Sequence, residues 1–358
     1  MRKRIGDYGI EIGEMRKGRL NRISDVAGVS VGHCTVEAGD SRTGVTFISP
    51  SVANPFSRKL PAAVFVLNGF GKSLGLMQVE ELGCIETPIF LTNTLNVGLV
   101  HDAAVGYMIE RCEKEGLSLR SVNPIVMECN DSRLNDIRKR VVGAAEVAAA
   151  AVDARADFAE GDVGAGRGMV CHGLKGGIGS ASRLFSLDGK DYTLGVLALT
   201  NHGRLADLTI AGRAIGREIA EKLESGETAA AAPDKGSVIL VFATDAPLSD
   251  RQLGRVIRRG SVGLARLGSF IGHGSGEVFL GFSTAWSVSG ETRPGSAAAA
   301  GAGLGDILIV PMVREEKLDI LFRAAAESAE EAVLNSMAAA APATGPGGYS
   351  CASLSSFI

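Results

Sequence analysis

The run Ser237-Val238-Ile239-Leu240-Val241-Phe242-Ala243-Thr244 sets the terms for the fold. It is apolar and rich in β-branched residues, so it reads as a buried strand, and a hydroxyl stands at its first position. Ahead of it, a helix-like segment ends near Glu224-Ser225-Gly226, and an Ala/Pro/Gly linker runs through Ala229–Ala232 and Pro233-Asp234-Lys235-Gly236. A serine held at the head of a buried strand, with a loose segment behind it, is suited to attack the carbonyl just before it. Gly236 has no side chain to obstruct that attack. Scission between Gly236 and Ser237 would leave Ser237 with a hydroxyl nucleophile and an α-amino group of pKa roughly 7.7–8.0, able to act as a base. Gly-Ser before a strand is also ordinary turn chemistry, so the stretch alone leaves both readings open.

Other short apolar runs read as strands: Val26–Gly32, Gly44–Ile48, Ala62–Leu67, Pro88–Leu91, Pro124–Met127, Tyr192–Thr200, Val278–Phe282 and Ile307–Pro311. Helical spacing predicts helices over Val100–Glu115, Lys139–Ala156, Leu205–Leu223 and Lys317–Ala339, and from an N-cap at Ser249 through about Leu267. The Gly-rich segment Gly161–Gly179 reads as tight hairpins. Its glycines miss the G-x-G-x-x-G register, and Val66 stands where a Walker A loop ending in Gly71-Lys72-Ser73 would need glycine. Strand pairs and helix pairs in this order predict an α+β fold, a layered sandwich with helices outside and sheets within, formed by one domain over 1–358.

The 358 residues are 46% hydrophobic, enough for a sizeable core, and the net charge of -3 gives no field to attract nucleic acid. Six cysteines without a Cys-x-x-Cys pair fit reduced thiols in a cytoplasmic protein. The charged segment Met1–Gly18 lacks the apolar core of a secretory signal, and no apolar run reaches membrane-spanning length. The five histidines show no metal spacing, and the chemistry read here needs neither metal nor cofactor.

A serine nucleophile needs a group to steer its proton and donors for the oxyanion. Ser275 and Glu277 lie two apart, so on an extended segment they share a face where a carboxylate can polarise a hydroxyl. Asn201, at a strand end, offers an amide N–H to a developing oxyanion. Each also has a plain role as a turn residue or a solvated carboxylate.

With those residues in view, the sequence resembles the DmpA-type aminopeptidase family, which includes β-peptidyl aminopeptidases and relatives that hydrolyse pantetheine or nylon-oligomer amides. Matching stretches are Asn21–Val29 with Val31-Gly32-His33, Arg42–Thr46, Asn93-Thr94, Asn130-Asp131 with Leu134-Asn135-Asp136, Gly168–Gly173 with Lys175–Gly179, Gly236-Ser237 with Ala243–Leu248, and Glu331–Asn335. The resemblance implies an αββα sandwich of the N-terminal-nucleophile type, shared with the ornithine acetyltransferases. It further implies autoproteolysis at Gly236–Ser237 into an α chain 1–236 and a β chain 237–358, and a homotetramer of αβ units. Ser237 matches the family's nucleophile, Ser275 and Glu277 its supporting pair, Asn201 its oxyanion asparagine, and Glu128 the carboxylate that receives the substrate's free amino group. The activity implied is release of N-terminal residues from short peptides, amides or esters through an acyl-enzyme on Ser237. Three positions depart from the family: Arg133 where an aromatic residue is frequent, Ser132 for glycine, and Lys72 where Asn-Gly-Glu is expected. A cation at Arg133 rejects an ammonium or recruits a carboxylate. Arg133 and Lys72 favour, as an alternative, an amidase for non-peptide amides; from a different class, the alternative is a silent, uncut homologue that keeps the fold for binding or assembly.

Overall fold

The computed structural model describes residues 2–223, 236–289 and 308–358. The linker expected before Gly236, including Glu224–Gly226, and residue Ile307 lie outside them. Nine main strands follow in chain order: β1 (Ser30–Ala38), β2 (Ser41–Ser49), β3 (Arg58–Gly69), β4 (Ile89–Asn93), β5 (Ile125–Cys129), β6 (Ile178–Leu187), β7 (Lys190–Asn201), β8 (Ser237–Thr244) and β9 (Gly276–Ser283). The helices are α1 (Leu76–Leu82), α2 (Val97–Lys114), α3 (Ala144–Val152), α4 (Ile215–Lys222), α5 (Asp250–Ile257), α6 (Gly260–Arg266) and α7 (Asp319–Ala338).

Two sheets carry the fold. The smaller has the order β1-β2-β4-β5, and the larger runs β3-β9-β8-β7-β6, extended by short edge pairings on β3. In the larger sheet β8 and β9 are parallel, while β7 pairs antiparallel with both β8 and β6. Successive side chains of a strand point to opposite faces, and β8 shows what this does. Ile239, Val241 and Ala243 enter the layer between the sheets, with Leu91, Ile125 and Met127 of the smaller sheet. Val238, Leu240 and Phe242 enter the outer core with α5, α6 and α7. The far face of the smaller sheet, through Phe47, Phe90 and Val126, packs on α2 and α3. The result is the αββα sandwich expected from the sequence.

Helix α7 is buried along most of its length, and it lies so close to β6 that a Cβ on Gly179 would sit 2.0 Å from the Ala332 carbonyl oxygen. Its glutamates are not a solvated face. Arg183 of β6, with no exposed surface, pairs its Nε with Glu327 Oε2 at 3.0 Å and its Nη1 with Glu331 Oε2 at 2.7 Å, and also donates to the Ile12 and Ser182 carbonyls. Removing one member of a buried ion-pair network leaves uncompensated charge in a low-dielectric interior. Arg183→Met is therefore expected to lower stability by about 3–5 kcal/mol, read as a fall in the urea midpoint.

Several boundaries differ from the sequence expectation. The helix expected over Lys139–Ala156 shrinks to Ala144–Val152, because Arg140 takes a left-handed φ of 48° and the Glu146 side chain accepts from Gly143 N–H, starting the helix there. Ser249 is the expected N-cap, with a reciprocal capping box to Gln252, but the helix breaks at Arg258 and resumes as α6. The Leu205–Leu223 stretch opens as a 3-10 turn and turns at Ala211-Gly212, both at positive φ, before α4. Val26–Val29 precede the strand, which begins at Ser30, and residues 308–311 are not in a strand. Within Gly161–Gly179, Val170-Cys171 and Leu174-Lys175 do form a tight hairpin. Among the described residues no helix is long and apolar enough to cross a membrane.

Candidate active site

Ser237 opens β8 between two neighbours fixed by register: Asn201, its antiparallel partner at the end of β7, and Gly276, its parallel partner at the start of β9. Residues directly opposite in an antiparallel pair present their side chains on the same face, so Asn201 and Ser237 stand side by side. Ser237 is nearly buried, and its Oγ donates to the Gly236 carbonyl oxygen at 2.7 Å. That same oxygen accepts Gly276 N–H at 3.0 Å. The carbonyl ahead of the serine is thus held by two donors. A Cβ on Gly236 would lie 2.1 Å from the Asn201 carbonyl oxygen and 2.5 Å from His202 Cα, so only glycine allows the chain to enter β8 on this path.

Ser275 and Glu277 flank Gly276 and are fully buried, and Ser275 Oγ donates to Glu277 Oε1, as their spacing predicts. Asn68 at the end of β3 clamps this corner, donating through Nδ2 to the Gly272 carbonyl at 2.8 Å and to that of Ser275 at 2.6 Å. Sequence reading did not single out Asn68. Its place in Asn68-Gly69, at a strand end, was the available signal.

Asn201 is held at both ends of its amide: Oδ1 accepts Val170 N–H at 3.0 Å, and Nδ2 donates to the Asn130 carbonyl at 2.8 Å. One N–H of that amide therefore serves structure. The other remains for the cavity that Asn201 and Ser237 both line. Val170 belongs to the glycine-rich segment, which is braced from within by Lys175. The Lys175 ammonium, without exposed surface, donates to the carbonyls of Gly166, Met169 and Gly176 at 3.0, 2.9 and 2.7 Å. Burial lowers its pKa from the ordinary lysine value to about 8.

The cavity has a volume of about 690 Å³, within the range of small-molecule sites. Glu128 is nearly buried at its wall, its Oε1 accepting Lys72 N–H at 2.8 Å and its Oε2 accepting the Thr94 hydroxyl. Arg133 and Ser132 lie exposed on the turn after β5, and Phe70, Phe270 and His273 form exposed walls. Ser237, Asn201, Glu128, Arg133 and Lys72 therefore share one cavity. Ser275 and Glu277 lie behind it, in the buried turn into β9.

His202 reaches the cavity but belongs to a buried cluster that the linear spacing concealed: ligand atoms of Cys171, His172 and His202 lie within 4.8 Å of one another. Cys171 Sγ is 3.8 Å from His202 Nδ1, and His172 Nδ1 meets the Arg204 carbonyl at 3.0 Å. Thiolate and imidazole are donors that suit zinc, so these are the residues that could hold a metal. Burial, and then the neighbouring His172, hold the His202 pKa well below the ordinary imidazole value. His273 is exposed on the turn before Ser275, 6.5 Å from the Phe70 ring.

The pattern of peptidase family S58 matches residues 21–351. β-Peptidyl aminopeptidase BapA of Sphingosinicella xenopeptidilytica is 38% identical over 359 residues, spanning 96% of this chain and 86% of the relative. The solved β-aminopeptidase of Burkholderia sp. superposes with a TM-score of 0.86 at 39% identity, covering 98% of this chain and 96% of that one. The L-aminopeptidase D-Ala-esterase/amidase of Ochrobactrum anthropi, a serine aminopeptidase with a variant of the Ntn hydrolase fold, gives 0.84 at 34% identity, covering 96% and 93%. By extent and layering alike, this sandwich is that of the N-terminal-nucleophile hydrolases, and the chain belongs to peptidase family S58.

Proposed function

We propose that the chain is a self-processing serine aminopeptidase, releasing N-terminal residues from short peptides, amino-acyl amides or esters. The observation that carries this reading is Ser237 at the head of β8, its hydroxyl on the Gly236 carbonyl oxygen, with Gly276 N–H on the same oxygen and Asn201 alongside. In self-cleavage, Ser237 Oγ attacks the Gly236 carbonyl carbon, charge gathers on the oxygen held by Gly276 N–H, and the C–N bond breaks. An ester to Gly236 and a free Ser237 amine result, and water hydrolyses the ester. The α-amino group does not exist as a base during that first step. The Ser275–Glu277 pair, one residue to either side of Ser237's register partner, is the carrier available to it.

In turnover the same hydroxyl takes the acyl group of the substrate and the leaving amine takes a proton. Asn201 and Gly276 N–H face the oxyanion. The proton carrier is then the Ser237 α-amino group or the buried pair, and a pH–rate profile that climbs through about pH 8 would favour the amine. Membership of the peptidase family, together with relatives that are aminopeptidases, supports the substrate class. A cytoplasmic tetramer of αβ units belongs to the same proposal.

Glu128 gives the reading its test. Each of its oxygens already accepts one neutral donor, and a carboxylate has lone pairs to spare for a substrate ammonium at the cavity wall. Unblocked amino-acyl amides are expected to be cleaved and their N-acetylated forms not. Glu128→Gln is expected to raise KM by about 10- to 100-fold, the loss of one charge-assisted hydrogen bond, with a smaller change in kcat. Equal rates on blocked and unblocked substrates would sink the aminopeptidase assignment.

A further inference from the structure

Among the described residues, two cations line the cavity without an acidic partner. Among the described residues, neither Lys72 nor Arg133 enters an ion pair or a side-chain hydrogen bond; the Lys72 ammonium instead rests 4.5 Å from the centre of the Phe70 ring. Against them, among the described residues, stands one lining carboxylate, Glu128.

We propose, resting on the aminopeptidase reading, that Arg133 and Lys72 form an anion subsite. The preferred substrates are then zwitterionic: a free ammonium for Glu128 and a carboxylate close beyond the scissile bond, as in a dipeptide with a free C-terminus. The placement of both cations supports this. Lys72 gives its backbone N–H to Glu128 at 2.8 Å, so its side chain starts from the very residue that anchors the ammonium site. Arg133 sits on a fixed turn: Ser132 N–H donates to Asn130 Oδ1 at 3.0 Å, Leu134 N–H to the Asp131 carbonyl at 3.1 Å, and Leu134 is buried. A Cβ on Gly345 would stand 2.7 Å from the Arg133 carbonyl oxygen, so the turn is clamped from the C-terminal segment as well. Asn201 Nδ2 ties the Asn130 carbonyl, three residues ahead of Arg133, to the strand beside the nucleophile.

A guanidinium fork on a held turn suits bidentate contact with a carboxylate, and a ligand that displaces water from the cavity lined by Phe70 and Phe270 strengthens that contact by lowering the local dielectric. A substrate with only an ammonium meets two cations and one carboxylate. A zwitterion matches both signs.

The test compares one dipeptide as its free acid and as its C-terminal amide, in the processed wild type, in a Lys72→Gln/Arg133→Gln double variant and in Arg133→Glu. The wild type is expected to favour the acid by about tenfold or more in kcat/KM, mainly through KM, with the preference weakened by salt. The double variant is expected to bring the ratio to about one, and Arg133→Glu to invert it. A ratio within one preparation does not depend on how much of the protein is folded. Equal or better turnover of the amide by the wild type, or an acid preference that survives in the double variant, overturns the subsite. If the wild type cleaves neither form, the aminopeptidase reading fails separately, and calorimetric binding of the two forms to Ser237→Ala decides the subsite: tighter binding of the acid upholds it and equal binding overturns it.

Discussion

Ser237→Ala is expected to remain one uncut chain and to lose turnover to background, a fall of up to about six orders of magnitude in kcat if the serine acts as the unit's nucleophile. The wild type is expected to separate on a denaturing gel into fragments of residues 1–236 and 237–358. Intact-mass measurement should place Ser at the start of the smaller one. The substitution removes only the hydroxyl: β8 keeps its ladder to β7 and β9, Gly276 N–H still holds the Gly236 oxygen, and the Cβ stays in place. What stability is lost is one hydrogen bond, about 0.5–1.5 kcal/mol, so a folded, inert chain is the predicted product. That separates chemistry from collapse. A Ser237→Ala chain that is still cut would remove Ser237 from the mechanism. A folded wild type that stays whole would remove self-processing and return weight to a silent homologue.

Much of this site could be read from sequence because its parts are local. The Ser237–Thr244 run showed both the buried strand and the hydroxyl at its head, and alternate residues of that run fill the two cores of the sandwich. Ser275 and Glu277 meet through their two-residue spacing alone. Asn201 was found at a strand end, where register then brought it level with Ser237, while Glu128 entered through the family resemblance. The failures concern what spacing does not encode. Arg183 pairs with Glu327 and Glu331 from across the chain, so glutamates on an Ala-rich helix gave no sign that their surroundings are buried. Lys175 looks like a surface lysine until its ammonium is seen to replace solvent with three carbonyls. Cys171, His172 and His202 come together through a hairpin and a strand end whose contact no motif announces. Helix ends failed where one residue, such as Arg140 or Ala211, takes a left-handed conformation that composition does not require.

Asn201→Ala is expected to lower kcat by about 10²- to 10³-fold, the usual cost of losing one oxyanion donor, with a smaller effect on KM. The same substitution has a second consequence, because the Asn201 amide also satisfies Val170 N–H and the Asn130 carbonyl. Leaving such groups without partners costs about 1–3 kcal/mol for each one that water cannot reach, so the variant should unfold earlier in urea as well. The two effects are separable. Activity is compared at a urea-free temperature where circular dichroism shows both proteins folded, and stability is read from the midpoint shift. Self-cleavage supplies a third readout: there the Gly236 oxygen is already held by Gly276 N–H, so Asn201→Ala should slow processing less than it slows turnover. Were processing and turnover to fall together by the same factor, Asn201 would be acting by positioning the strand ends through Val170 and Asn130 rather than on the oxyanion. An Asn201→Ala enzyme with wild-type kcat would leave Gly276 N–H as the donor that matters.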